Sequence, residues 1–283
     1  MVVSFGRRFW GLAVVLAALL VLLAGCGKQE GKQLKVVTGT SLIAAIVRDI
    51  GQDRVDVTNI IPPAQCPGHF DLKPSDVEKL ANARLFLRHE WQGKMFTEDL
   101  IASVHNPELK VVPLAVAGNW MAPPVQKQAV EAIAGVLAQA DPANKEFYEQ
   151  NARQVTAAIV EKEKELRRKL DDAGVAGVKV LCSEMQQGFL KWAGCDVVGT
   201  YGRPEELTPQ VIRQLVEQGR AAGVRLVVDN LQSGPEAGAG IARELGVPRV
   251  TLSNFPGGFP GTDSWSSAVE KNVTLLIDAL AGR

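Results

Sequence analysis

Between residues 34 and 114, four short β-branched runs, Lys35–Thr38, Val55–Ile61, Arg84–Arg88 and Lys110–Leu114, alternate with stretches whose apolar residues recur three and four apart. Leu42, Ile43, Ile46, Val47 and Ile50 are the clearest such stretch. The 3.6 period predicts helix, the short runs predict buried strand, and their alternation predicts βαβ units around a mostly parallel sheet covered on both faces. The second half repeats the pattern. Strands are expected at Lys179–Cys182, Asp196–Thr200, Arg225–Asp229 and Arg249–Leu252, with helices near Gln187–Ala193, Pro209–Ala221, Glu236–Leu245 and Ser264–Leu280. No letter-by-letter repeat links the halves, so only the pattern is shared.

Between them runs Asp141-Pro142-Ala143-Asn144 and then an unbroken helical segment to Leu170. Phe147, Tyr148, Ala152, Val155, Ile159, Leu166 and Leu170 mark one face, while Glu161 to Glu165 and Arg167 to Lys169 supply charge pairs on the others. Asp141 is the expected cap and Pro142 falls in the first turn. Such a helix runs about 40 Å, enough to serve as a stiff strut. The predicted fold is therefore α/β: two lobes, each a four-stranded mostly parallel sheet with flanking helices, joined by one long rigid helix, with a ligand cleft between the lobes. The expected divisions are 1–26, 27–33, 34–140, 141–171 and 172–283.

The first 26 residues read as an export signal. Arg7 and Arg8 precede an apolar run from Leu12 to Ala24, too short for the roughly 18 to 20 residues a membrane span needs, and the run ends in Leu23-Ala24-Gly25-Cys26. Small residues before a single cysteine are similar to a bacterial lipobox. Lipid attachment at Cys26, a tether over 27–33 and an extracytoplasmic, membrane-anchored protein are expected.

The 31 basic and 31 acidic residues balance, which leaves no electrostatic footprint for nucleic acid. A monomer that recognises a small partner is expected. Three cysteines follow Cys26, so at least one is unpaired within the chain; whether Cys182 and Cys195 form a disulfide stays open.

The stretch Pro62-Pro63-Ala64-Gln65-Cys66-Pro67-Gly68-His69-Phe70-Asp71-Leu72-Lys73-Pro74-Ser75-Asp76 puts a thiol, an imidazole and a carboxylate in a proline-stiffened loop. Prolines fix φ and cut the entropy lost on clamping a ligand. Ser75 is the expected cap of the helix that follows.

The lipobox, this loop, the Ala140-Asp141-Pro142-Ala143-Asn144 start of the linking helix and the second α/β half together resemble the zinc- and manganese-binding lipoproteins of ABC importers. The resemblance implies a receptor that delivers a divalent transition metal, zinc or manganese foremost, to a membrane permease. Pro62-Pro63, Asp71 and Pro74-Ser75-Asp76 match the family's loop in register, but Gly68 occupies its ligand position and His69 follows one residue later. Gly118-Asn119-Trp120-Met121 replaces the second ligand segment, Glu184 stands at the third position, and Ser253-Asn254 offers only neutral oxygens at the fourth.

Ligands of open parallel sheets bind beyond the carboxyl ends of the strands. Reading those positions alone gives His69, His89, Glu184 and Asp229 as candidate metal ligands drawn from both halves, with Cys66 and Glu90 as further candidates. Each has a plainer alternative. His69 could bond the loop backbone, His89 could pair with a neighbouring charge, Cys66 could be a buried structural thiol, and Glu184 and Asp229 could cap the turns after them. Trp91, Trp120, Phe255, Phe259 and Trp265, with the glycine-rich stretch 254–261, could instead line a pocket for an organic or metal-chelate ligand. A hydrolase using Cys66 or Cys182 as nucleophile and His69 as base is a third possibility, and a lipoprotein without a ligand a fourth. No Gly-x4-Gly-Lys-Ser/Thr loop is present, so the chain is not the transport ATPase. No enzymatic activity is expected.

Overall fold

The computed structural model describes residues 33–96 and 98–282; the expected signal segment, the Cys26 lipid site and nearly all of the tether lie outside them. In chain order the elements are β1 (Leu34–Thr38), α1 (Ser41–Gly51), β2 (Val55–Asn59), α2 (Pro74–Ala81), β3 (Leu85–His89), α3 (Glu98–Ser103), β4 (Lys110–Leu114), α4 (Pro123–Ala140), α5 (Lys145–Asp172), β5 (Lys179–Ser183), α6 (Gln187–Ala193), β6 (Asp196–Tyr201), α7 (Pro209–Ala222), β7 (Leu226–Asn230), α8 (Ala239–Leu245), β8 (Arg249–Leu252) and α9 (Trp265–Leu280). Two four-stranded sheets form, in orders β2-β1-β3-β4 and β6-β5-β7-β8. Every pairing is parallel. Both sheets thus reverse their winding beside the first strand of the lobe, which leaves a crevice at the carboxyl ends of the strands.

The pleat explains how the lobes are built. Successive strand residues point to opposite faces. Val36, Leu85 and Leu87 therefore join a core shared with Val180, Val228 and Leu252 of the second sheet, while Val37 and Phe86 turn to a separate outer cluster. Leu181 and Val227 likewise face an outer cluster of the second lobe. The shared core is completed by Ile133 and Leu137 of α4 and by Tyr148, Ile159 and Leu166 of α5. The strut is thus packed into the protein rather than standing free. Helix α4, which alternation of strands alone does not single out, packs along it.

Several local expectations shift. Helix α2 starts at Pro74, so Ser75 lies inside its first turn; the Asp76 carboxylate instead accepts from the Lys73 backbone N–H at 3.0 Å. Proline at the first helical position is favoured there because its missing N–H has no helical partner to lose. Asp141 caps the short turn Pro142–Asn144, and α5 begins after Asn144. The Asp141 carboxylate accepts from Asn144 Nδ2 and from Tyr148 Oη, both at 2.7 Å. Strands β3 and β7 each end one residue later than expected, so His89 is a strand residue rather than a loop residue, and Asp229, the expected last residue of its strand, is followed within it by Asn230. Cys66, Cys182 and Cys195 are free thiols, so Cys182 and Cys195 are not joined. Among the described residues, no helix is long and apolar enough to cross a membrane.

Candidate functional site

The loop after β2 ends in a short turn, Pro67–His69, which begins with proline and leaves the imidazole well exposed. From the other lobe, the loop after β6 forms a matching proline-led turn, Pro204–Glu206. The two turns meet: His69 Nε2 lies 3.2 Å from Glu205 Oε1. Arg203, beside that turn, lies against Gly68, where a Cβ would collide with its guanidinium. A side chain there would push the guanidinium aside, so the glycine lets Arg203 of the second lobe lie against this turn. The Arg203 Nε is buried without an acceptor.

Behind this contact the lobes are joined by neutral amides. Asn119 Nδ2 donates to the Met185 carbonyl at 2.8 Å and to Asn254 Oδ1 at 2.9 Å. Asn254 Nδ2 also reaches the Met185 carbonyl, and Gln186 Nε2 donates to both Asn230 and Asn254. The opposite acceptor of the fully buried Gln186, Oε1, has no partner. Gln232 Nε2 donates to the Pro63 carbonyl and Ser41 Oγ to the Pro256 carbonyl, each crossing between lobes. The glycine-rich stretch therefore does bridge to the first lobe. Of its aromatic neighbours, Trp120, Phe255 and Trp265 are core residues, with Trp265 Nε1 donating to the Trp120 carbonyl at 3.0 Å, whereas Trp91 is exposed and Phe259 borders a cavity of about 910 Å³ beside Lys271 and Leu275.

The four expected ligands are not brought together. His89 is 5% exposed; its Nε2 pairs with Thr40 Oγ1 at 3.1 Å and its ring stacks on Trp91 and meets the edge of Trp120. Burial lowers its pKa to about 3, so the ring is neutral and forms part of the wall. Asp229 is fully buried and saturated: Oδ1 accepts from Tyr201 Oη and the Gly238 N–H, and Oδ2 from Arg249, all at 2.7 Å. The plainer reading of Asp229 as an organiser of the following turn is the observed one. Burial and the adjoining carboxylate together push the Tyr201 phenol upward. Glu184 opens the turn after β5 and is exposed. Glu90 is exposed too, and its carbonyl accepts from Arg88. Cys66 is half-buried at the start of the His69 turn. Among the described residues, no three His, Cys, Asp or Glu side chains form a group able to hold a metal ion.

Glu205, Arg203, Asn119 and Gln186 escape a reading by strand ends. Arg203 is the second residue after β6 and Glu205 the fourth, both past the expected strand end at Thr200, and amides carry no ligand signature. The available signal for Glu205 was the Pro204-led acidic turn following a parallel strand.

Comparison with known proteins places this geometry. The chain is 28% identical over 251 residues to the manganese ABC transporter substrate-binding lipoprotein PsaA of Streptococcus anginosus, covering 76% of this chain and 79% of that protein. It is 25% identical over 301 residues to the iron ABC transporter substrate-binding lipoprotein MtsA of Streptococcus pyogenes serotype M1, covering 93% and 94%. In fold it matches the Mn-bound periplasmic metal binding protein from Candidatus Liberibacter asiaticus with a TM-score of 0.75 at 17% identity, over 88% of this chain and all of that one. A ZnuA crystal structure superposes equally well, with a TM-score of 0.75 at 18% identity. The profile of the periplasmic zinc-uptake complex component A family, ZnuA, matches residues 36–279, spanning both sheets and the helix between them, and the chain belongs to that family.

Proposed function

We propose that this chain is the extracytoplasmic receptor of an ABC importer, taking a divalent transition metal between its lobes and passing it to a membrane permease. The observation that carries this reading is the family match, which runs unbroken through both lobes. The relatives named for manganese and iron transport align with this chain over 251 and 301 residues. The working divisions remain a first lobe over 34–140, a strut over 141–171 and a second lobe over 172–283, with lipid attachment at Cys26 and a monomeric receptor.

The role is non-catalytic. Burial pushes the Cys182 and Cys195 thiols up to about 12, so neither supplies a thiolate nucleophile at neutral pH. Of the expected metal ligands, His69 and Glu184 keep side chains that solvent reaches, and His69, which faces Glu205 of the other lobe, is the one that remains a proposed ligand. His89 and Asp229 have structural partners and drop from the set.

Calorimetry on metal-stripped protein tests the reading. Micromolar or tighter binding of zinc, manganese or iron is expected; its absence for all three ends the proposal. Cys26→Ser is expected to abolish incorporation of labelled fatty acid in a bacterial host, and undiminished labelling removes the anchor.

A further inference from the structure

His69 and Glu205 face each other from opposite lobes, both more than half exposed at 60% and 52%. Imidazole plus carboxylate suits zinc, manganese and iron alike. It is also only a pair. Among the described residues no third metal-binding side chain completes a group around it. Other polar side chains of the crevice are already engaged, because Asp229 is saturated and Asn119 and Asn254 bond each other and the Met185 carbonyl. An ion seated on two protein donors completes its shell from outside the protein, with water or with a chelator, since zinc takes four ligands and harder ions six or more.

Arg203 indicates what those ligands are. Its guanidinium lies against Gly68, the residue before His69. Its Nε is buried without an acceptor, and among the described residues its side chain has no hydrogen-bond or ion-pair partner. The two carboxylates of the same turn are directed elsewhere, Glu205 to His69 and Glu206 over Gly202. A bare dication placed on His69 and Glu205 meets this unpaired positive charge. A metal carrying an anionic polycarboxylate does not, and a planar guanidinium is the side chain best shaped to take a carboxylate through two parallel hydrogen bonds.

We propose that the cargo enters as an anionic metal–polycarboxylate chelate, its ion on His69 Nε2 and Glu205 and a chelator carboxylate on Arg203. This deepens the metal-receptor reading and rests on it. Closure of the two proline-led turns then holds the ion and its chelator together, and the neutral amides behind them serve as a fixed wall.

The test is calorimetry of the metal-stripped full chain with zinc chloride, with zinc in slight excess of citrate, and with citrate alone. Zinc citrate is expected to bind about tenfold tighter than zinc chloride, the ratio a charge-assisted hydrogen bond supplies. Arg203→Gln is expected to erase that ratio, by weakening the chelate and relieving the repulsion of bare zinc, and His69→Ala to weaken both. Gly68→Ala displaces the same guanidinium without removing it and is expected to lower the ratio as well, with thermal melts confirming that each variant folds. Equal or tighter binding of zinc chloride, survival of the ratio in Arg203→Gln, or citrate alone matching the chelate overturns the inference. The first two leave the metal receptor standing; the absence of binding by both zinc forms, and by manganese and iron as well, overturns the receptor reading itself.

Discussion

Asn119 and Asn254, 135 positions apart, meet across the lobes with Nδ2 2.9 Å from Oδ1. The same Asn254 amide donates to the Met185 carbonyl and accepts from Gln186, so both ends of its side chain are fixed. Replacing Nδ2 by a second oxygen sets two acceptors against each other. Asn254→Asp is expected to lower stability by about 1 kcal/mol without metal, the low end of the cost of a mispaired polar group because solvent reaches this contact. Because the new carboxylate faces a carbonyl oxygen, divalent zinc should raise the variant's melting midpoint by more than it raises that of the parent chain. Equal metal-induced shifts in thermal melts would show that this amide lies apart from any ion.

Asp229 behaves as a buried anion with a full set of donors. Asp229→Ala strands Arg249 and leaves Tyr201 Oη and the Gly238 N–H with fewer acceptors, a loss of about 3–5 kcal/mol for breaking such a pair. Urea unfolding measures it. Metal affinity of the folded fraction should stay at the parent value, and a large fall in affinity with little change in stability would restore Asp229 as a ligand.

His89 confers an acid sensitivity whose sign follows from its burial. Its folded pKa is lowered from 6.5 to about 3, so between those values the unfolded chain binds a proton that the folded chain refuses. Stability therefore falls as pH drops below 6.5, by at most about 1.4 kcal/mol per pH unit from this group, and levels off near pH 3. His89→Phe keeps an aromatic ring against Trp91 and Trp120 but cannot titrate. Chemical denaturation from pH 7 to pH 4 should show the variant losing less stability than the parent; parallel curves would mean the imidazole is reached by solvent.

Glu270 of α9 bridges Lys162 and Lys169 of the strut at 3.1 and 2.6 Å. Its hydrogen bonds to Lys169 and Lys162 hold its pKa below the ordinary value of 4.5, so the contribution is present above that value and fades as pH falls through the lowered one. Solvent reaches this carboxylate, and screening limits the effect of Glu270→Gln to about 1 kcal/mol at neutral pH. Molar salt should shrink the difference between parent and variant, and a salt-independent difference would point to packing instead.

The alternation of apolar runs marked all eight strands to within one or two residues, because a strand buried on both faces must be written in β-branched and aliphatic side chains. The linking helix was equally legible from its 3.6 period and charge pairs. A one-residue error at the end of β3 was enough to misplace His89, whereas Asp229 was expected within its strand and is held there by Tyr201, Gly238 and Arg249. A residue that extends a strand is held by the sheet, whereas the next one is free to face a ligand, and no sequence pattern separates the two when both are polar.

The chain's own sequence thus determined the two lobes, the strut and the crevice at the strand ends, since these follow from local periodicity and the rules of parallel sheets. Tertiary structure alone decided which polar side chains occupy that crevice. The meeting of His69 with Glu205, the seat of Arg203 on Gly68 and the amide bridge of Asn119 to Asn254 each join residues far apart in sequence. Their pairing depends on how two separately built lobes dock on a shared core, a relation that no local spacing encodes.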